Sequence, residues 1–215
     1  MKKIFAKIAA ISVAAIFVLG SCCNQSDKNA NKPHNFPKTQ PPAMLGQGTP
    51  ALVYVARNYW NPFIDSSEVF SQDTSLIGGV PIDQFINAGR EYAHIVNSIP
   101  LQEGIKAQTN FISRLIALER SNPENTVFHI AVEYAEEVFY GVNSDYRNEE
   151  LYLPIASALA DFELIDSITR ARYVQEVTNC SKNRVGTPAA DFCYTTKNGM
   201  RSTLYKTRAN ATLIF

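Results

Sequence analysis

The chain has 215 residues, enough for one domain and part of another, and its 20 lysine and arginine side chains balance 20 aspartate and glutamate side chains. No stretch interleaves basic with aromatic residues, which argues against nucleic acid as a partner. Four cysteines are too few for a disulfide scaffold, and 46% hydrophobic residues are enough to bury a core.

The first segment has the form of an export leader. Lys2, Lys3 and Lys7 make a positive start, and Ile8 to Leu19 make an apolar run too short for a stable membrane span. Leu19-Gly20-Ser21-Cys22 then matches the bacterial lipobox, in which small residues admit the signal peptidase and the cysteine takes diacylglycerol and palmitate. Cys22 is the expected lipidation site. Cys23 fits worse, because Gly20 would then stand where a leucine is wanted. The competing reading is an ordinary secretory peptide with an incidental cysteine. Loss of residues 1–21 would remove three lysines and leave an acidic excess. The expected location is the bacterial cell envelope, lipid-anchored to the inner or outer membrane, with the folded part periplasmic or at the surface.

Residues 22–48 are rich in Asn, Lys, Gln and Pro, with Phe36, Met44 and Leu45 as the sizeable apolar groups, and read as a flexible tether. Thr49-Pro50 supplies an N-cap and a first-turn proline for a helix carrying Leu52, Val55, Ala56 and Tyr59, which Pro62 ends. Trp60, the single tryptophan, is expected in the core rather than at a binding site. Ser66 to Gly79 reads as a loop. Pro81 opens a second helix with Ile82, Phe85, Ile86 and Tyr92 on its apolar side, and a third runs from about Leu101 to Glu119. Asn122-Pro123-Glu124 caps a fourth, whose wide apolar face (Val127, Phe128, Ala131, Tyr134, Ala135, Val138, Phe139) places it centrally. Gly141 to Ser144 is a turn. Pro154 either begins or kinks the fifth helix, which carries Ile155, Leu159 and Phe162. Asp166 caps the sixth, with Ile168, Val174 and Val177.

After Asn183 the period changes. Phe192, Tyr194 and Thr196 alternate with Asp191, Cys193 and Thr195, as in a half-buried strand. Asn198-Gly199 is a hairpin signal, with a second strand near Arg201 to Leu204. Ala211 to Phe215 is an apolar β-favouring run. A strand of that kind wants ladder partners, and the chain reads as unfinished.

The residues Gly186, Ala189, Asp191, Phe192, Gly199, Leu204 and Leu213 to Phe215 resemble the entry to a thioredoxin-like module of the TlpA and peroxiredoxin type. The resemblance implies that the redox Cys-x-x-Cys would follow Phe215, so that this chain is truncated before it. The helical part resembles the uncharacterised domain that precedes such modules in a family of Gram-negative envelope lipoproteins. The residues that carry this are Asn58 to Phe63, Ser144 to Tyr152, Arg170-Ala171-Arg172 and Asn183 to Gly186. Asn58 stands where relatives have His. The expected fold is therefore mainly α. A bundle-like domain of about six helices over 49–182, of unknown function, leads into the incomplete first β-strands of a thioredoxin-like fold over 183–215.

Chemistry-bearing residues are sparse. Glu91-x-x-His94 has the spacing of a ferritin-like metal pair but lacks the second copy such a site needs, and reads as a solvated pair. His129 and Glu133 lie one helical turn apart without a third ligand, and His34 falls in the tether. No Ser-His-Asp set or phosphate loop stands out, so no catalytic, cofactor-binding or metal residue is assigned and no metal is expected. Arg147, Asn148, Glu149 and Glu150 are the polar residues most worth testing. A helix start, with Asn148 as cap and the glutamates at the positive end, is favoured over a substrate or partner site. Free thiols are favoured over a Cys180–Cys193 bridge.

Two functions remain in play. One is the front part of an envelope thiol–disulfide oxidoreductase, acting on a protein client but without redox activity in these 215 residues. The other is a non-enzymatic binding or structural lipoprotein.

Overall fold

The computed structural model of the protein describes residues 33–65, 75–123, 125–182, 184 and 186–208. Its order is α1 (Thr49–Asn58), α2 (Asn61–Asp65), β1 (Leu76–Ile77), β2 (Val80–Pro81), α3 (Ile82–Ser98), α4 (Leu101–Ser121), α5 (Val127–Phe139), α6 (Glu149–Ala160), α7 (Ser167–Cys180), β3 (Cys193–Thr195) and β4 (Arg201–Thr203). The fold is mainly α. Six of these helices have ten residues or more, and α2 is a short addition.

Each helix starts for a local reason. Asp166 Oδ1 accepts from the Ile168 and Thr169 amides at 2.9 and 3.1 Å, giving α7 its side-chain cap. Asn125 accepts from the Val127 amide at 2.7 Å at the entry to α5. Pro81 and Pro100 precede α3 and α4, where a missing N–H costs no helical bond. At α1, Gly48 rather than Thr49 occupies the cap, with φ +103°, a backbone that an L side chain resists.

The central helix is α4, not α5. It packs on α1, α2, α3, α5 and α6. The apolar face of α5 is buried as expected, but α4 carries small residues where helices must approach. A Cβ on Gly104 would lie 2.7 Å from Leu151 Cδ2, so glycine there lets α6 close on α4. Pro62 ends α1 as expected: the helix stops at Asn58, whose carbonyl a proline nitrogen four residues on cannot bond and which accepts from the Thr39 hydroxyl instead, while Pro62 itself sits in the first turn of α2. Pro154 lies inside α6, which runs through it.

One end of the bundle is an aromatic cluster around Trp60, which is 4% exposed. Its ring centroid lies 5.2 to 6.0 Å from those of Phe36, Tyr59, Phe63, Phe85, Tyr92 and Phe111. Trp60 is a core residue, as its sequence setting suggested. Phe36 belongs to this cluster, and this corrects the expectation of a flexible tether through residue 48. The Phe36 amide donates to Gln84 Oε1 at 3.0 Å, the His34 amide to the Gly79 carbonyl at 3.0 Å and the Thr39 hydroxyl to the Asn58 carbonyl at 2.8 Å. A polar composition hid one well-placed aromatic ring. Within the expected loop before α3, Leu76–Ile77 pairs antiparallel with Val80–Pro81, and Gly78 and Gly79 turn between them at positive φ.

The hairpin forms as read. Cys193 pairs with Thr203, Tyr194 with Ser202 and Thr195 with Arg201, and Gly199 takes φ +80° in the turn. The leader, Cys22, Cys23 and the run from Ala211 to Phe215 lie outside the described residues.

Candidate functional site

The residues singled out around Asn148 converge with residues far along the chain. Asn148 caps α6 by accepting from the Leu151 amide, and its Nδ2 donates to Asn97 Oδ1 at 3.0 Å, tying the start of α6 to the end of α3. Arg147 pairs with Glu149 at 2.6 Å and lies 5.6 Å above the Tyr140 ring. Tyr140 stacks on Tyr152 with centroids 4.8 Å apart and planes 13° from parallel. Tyr152 is fully buried and donates its hydroxyl to Glu176 Oε2 at 2.7 Å. Burial, then the carboxylate it faces, hold that phenol far above the usual tyrosine range.

Glu176 is satisfied from the other side by Arg172, whose Nη1 donates to Glu176 Oε1 at 2.8 Å and also to Glu136. The Arg172 guanidinium stacks 4.4 Å from the Tyr173 ring. Arg170, two residues away, does different work: it donates to the carbonyls of Phe162, Glu163 and Ile165 and so fixes the turn between α6 and α7. Beyond α7, Arg184 grips Glu150 with a two-nitrogen fork, Nη2 to Oε2 at 2.6 Å and Nε to both carboxylate oxygens at 3.1 Å. Ser144–Tyr152 and Arg184, with Arg172 reaching Tyr152 through Glu176, thus form one joint, which fastens the stretch leading to β3 and β4 onto α6. Glu149 and Glu150 also stand in the first turn of α6, where the helix dipole favours negative charge.

This joint is built to hold rather than to react. Cys180, at the end of α7, is a buried free thiol pushed up to about 11 by burial first and then by Glu149 and Glu176, which leaves little thiolate at neutral pH. Cys193 is free and exposed on β3. The other sequence candidates stay apart. Glu91 and His94 are both exposed, and Glu91 accepts from the Tyr59 hydroxyl at 3.1 Å. His34 is tied through its backbone to Gly79. Among the described residues, no three His, Cys, Asp or Glu side chains are grouped to hold a metal ion.

Sequence reasoning missed Glu119, a buried carboxylate on α4 whose Oε1 lies 3.7 Å from His129 Nε2 and whose Oε2 has no hydrogen-bond partner. Burial raises its pKa above the ordinary 4.5, against the opposing pull of His129. A raised folded-state value means that the stability this group contributes is complete below the unfolded value and is lost as pH rises through the folded one. Glu119→Gln, neutral and of the same shape, is therefore expected to match the wild type near about pH 4 and to melt higher than it at about pH 7. Thermal unfolding of both proteins across that range checks this, and parallel profiles would contradict it.

Comparison with known proteins places the chain. A family model described as a domain of unknown function (DUF5106) matches residues 20–183, and the chain belongs to that family. No curated protein matches it. Among solved structures, a thioredoxin-like protein from Bacteroides caccae is similar at 25% identity and a TM-score of 0.61, over 80% of this chain and 58% of that one. The chain thus spans little more than half the length of that neighbour.

Proposed function

We propose that this protein is a lipoprotein of the bacterial cell envelope, acylated at Cys22, whose helical domain holds a thioredoxin-like module that acts on a protein client. The observation that carries this reading is the Arg184–Glu150 fork, which fixes the entry to the β3–β4 hairpin on the helical domain. The thioredoxin-like name of the Bacteroides caccae neighbour supports a thioredoxin-like module, whose chemistry would rest on a Cys-x-x-Cys pair. There a low-pKa thiolate would attack a client disulfide, breaking its S–S bond to form a mixed disulfide and release one client thiolate. The second cysteine would then attack the mixed disulfide, releasing the other client thiol and leaving the pair oxidised. Among the 215 residues of the chain no two cysteines stand in that spacing. Cys180 and Cys193 sit on α7 and β3 as free thiols, which also suits the second reading, a non-enzymatic binding or structural lipoprotein.

One preparation tests both halves. The protein expressed from Met1 in a Gram-negative host with a labelled fatty acid should incorporate label, and Cys22→Ala should not. Purified in detergent, the same preparation should reduce insulin no faster than buffer. Equal labelling of the two proteins, or none, would sink the anchoring. Insulin turnover lost in Cys180→Ala or Cys193→Ala would make those thiols a redox centre.

A further inference from the structure

The polar segment before α1 is gripped at one point with unusual economy. The Gln84 carboxamide accepts from the Phe36 amide through Oε1 at 3.0 Å and donates through Nε2 to Asn35 Oδ1, also at 3.0 Å. A single side chain thus holds two successive residues. The His34 amide binds the Gly79 carbonyl on one side, the Thr39 hydroxyl binds the Asn58 carbonyl on the other, and between them Phe36 lies 5.3 Å from Phe63, nearly parallel to it. Gln84 stands in the first turn of α3. At the far end of that helix, Asn97 Oδ1 accepts from Asn148, the residue that caps α6 beside Arg147, Glu149 and Glu150. Asn97 lies thirteen positions after Gln84 along the helix, about 20 Å of axis.

We infer that His34–Thr39 is a clamp that shortens the membrane leash and makes it enter the domain at the opposite end of α3 from the joint that carries the C-terminal hairpin. The inference rests on acylation at Cys22. From Cys22 to His34 the chain spans at most about 43 Å in any conformation, whereas a leash running free to Thr49 could reach more than twice as far, about 95 Å. The partner is the bilayer itself, and what the clamp limits is how far from it the hairpin can stand.

The test uses the acylated full chain in vesicles, in a Cys23→Ser background, with a donor dye on the exposed Cys193 and acceptor dye on lipid headgroups. Energy transfer measures the height of the hairpin. Gln84→Ala removes both grips of the carboxamide without touching the aromatic core, and it should release the leash, seen as a loss of transfer. In the same variant the His34 and Phe36 amides should exchange quickly while those of α3 to α5 stay protected, which separates release from unfolding. Transfer unchanged by Gln84→Ala, or amides equally protected in both proteins, overturns the clamp. Mass spectrometry of the Cys22 peptide reports the premise separately: an acylated protein with unchanged transfer refutes the clamp alone, and an unacylated one refutes the anchoring and the leash together.

Discussion

Gly89→Ala is expected to lower the unfolding midpoint by roughly 5–10 °C, a large response to one added methyl group in a chain of this size. Alanine is the better helix former by about 1 kcal/mol, so local propensity predicts the opposite sign. Packing decides. A Cβ at Gly89 would lie 2.7 Å from Tyr134 Cζ and 2.8 Å from its hydroxyl, and closer still to the ring edge. Tyr134 cannot swing aside cheaply, because its hydroxyl donates to the Ile86 carbonyl at 3.0 Å and its ring packs edge-on against Phe85. Forcing the α3–α5 contact apart costs about 3 kcal/mol or more, beyond what propensity returns. In a Tyr134→Leu background the ring is gone and Gly89→Ala should be nearly neutral. A double-mutant cycle by thermal or urea unfolding measures the difference, and equal effects in the two backgrounds would refute the close approach.

Arg172→Met is expected to cost about 2–3 kcal/mol, less than the about 3–5 kcal/mol typical of a broken buried pair, because the arginine itself is partly solvated. The Glu176 side chain is only 10% exposed against 43% for Arg172, so the loss falls on the carboxylate left behind. The Tyr152 hydroxyl would still donate to it, but the charge would have no partner. Neutralising that charge should restore most of the stability, making Arg172→Met/Glu176→Gln more stable than Arg172→Met. Arg172→Lys should restore less, since a lysine lacks the planar fork and the stacking on Tyr173. Urea denaturation of the three variants gives the order. If Arg172→Lys behaved as wild type, point charge rather than geometry would be what matters.

Much of this molecule was legible in the amino-acid order, and the unread parts share a cause. Helices α3, α4 and α5 announce themselves because apolar residues recur at helical spacing, and Asn148, Asp166 and Asn198-Gly199 act on neighbours a few residues away. What stayed hidden depends on partners far along the chain. Gln108 is fully buried with its Oε1 accepting from Tyr92 and its Nε2 without a hydrogen-bond partner, and Glu176 is buried where Tyr152 and Arg172 satisfy it. Composition alone assigns both to the surface. The Tyr-Arg-Asn-Glu-Glu stretch was legible as a helix start. Its second role, receiving Arg184 on Glu150 across 34 residues, has no local signature. Phe36 was misjudged for the same reason: its surroundings in sequence are polar, and its surroundings in space are Phe63, Trp60 and Tyr59.

Crowding six rings around the single indole makes this protein report on itself optically. Tyr59 and Tyr92 lie 5.6 Å from Trp60, close enough for light absorbed by either phenol to be passed to the indole and emitted there. A buried indole emits to the blue of a hydrated one, so the colour of the emission follows the dryness of the cluster. Phe36 is the outermost of those rings and the nearest to the chain's start. Movement of the N-terminal segment would therefore tint the fluorescence of an otherwise intact fold, with no dye attached.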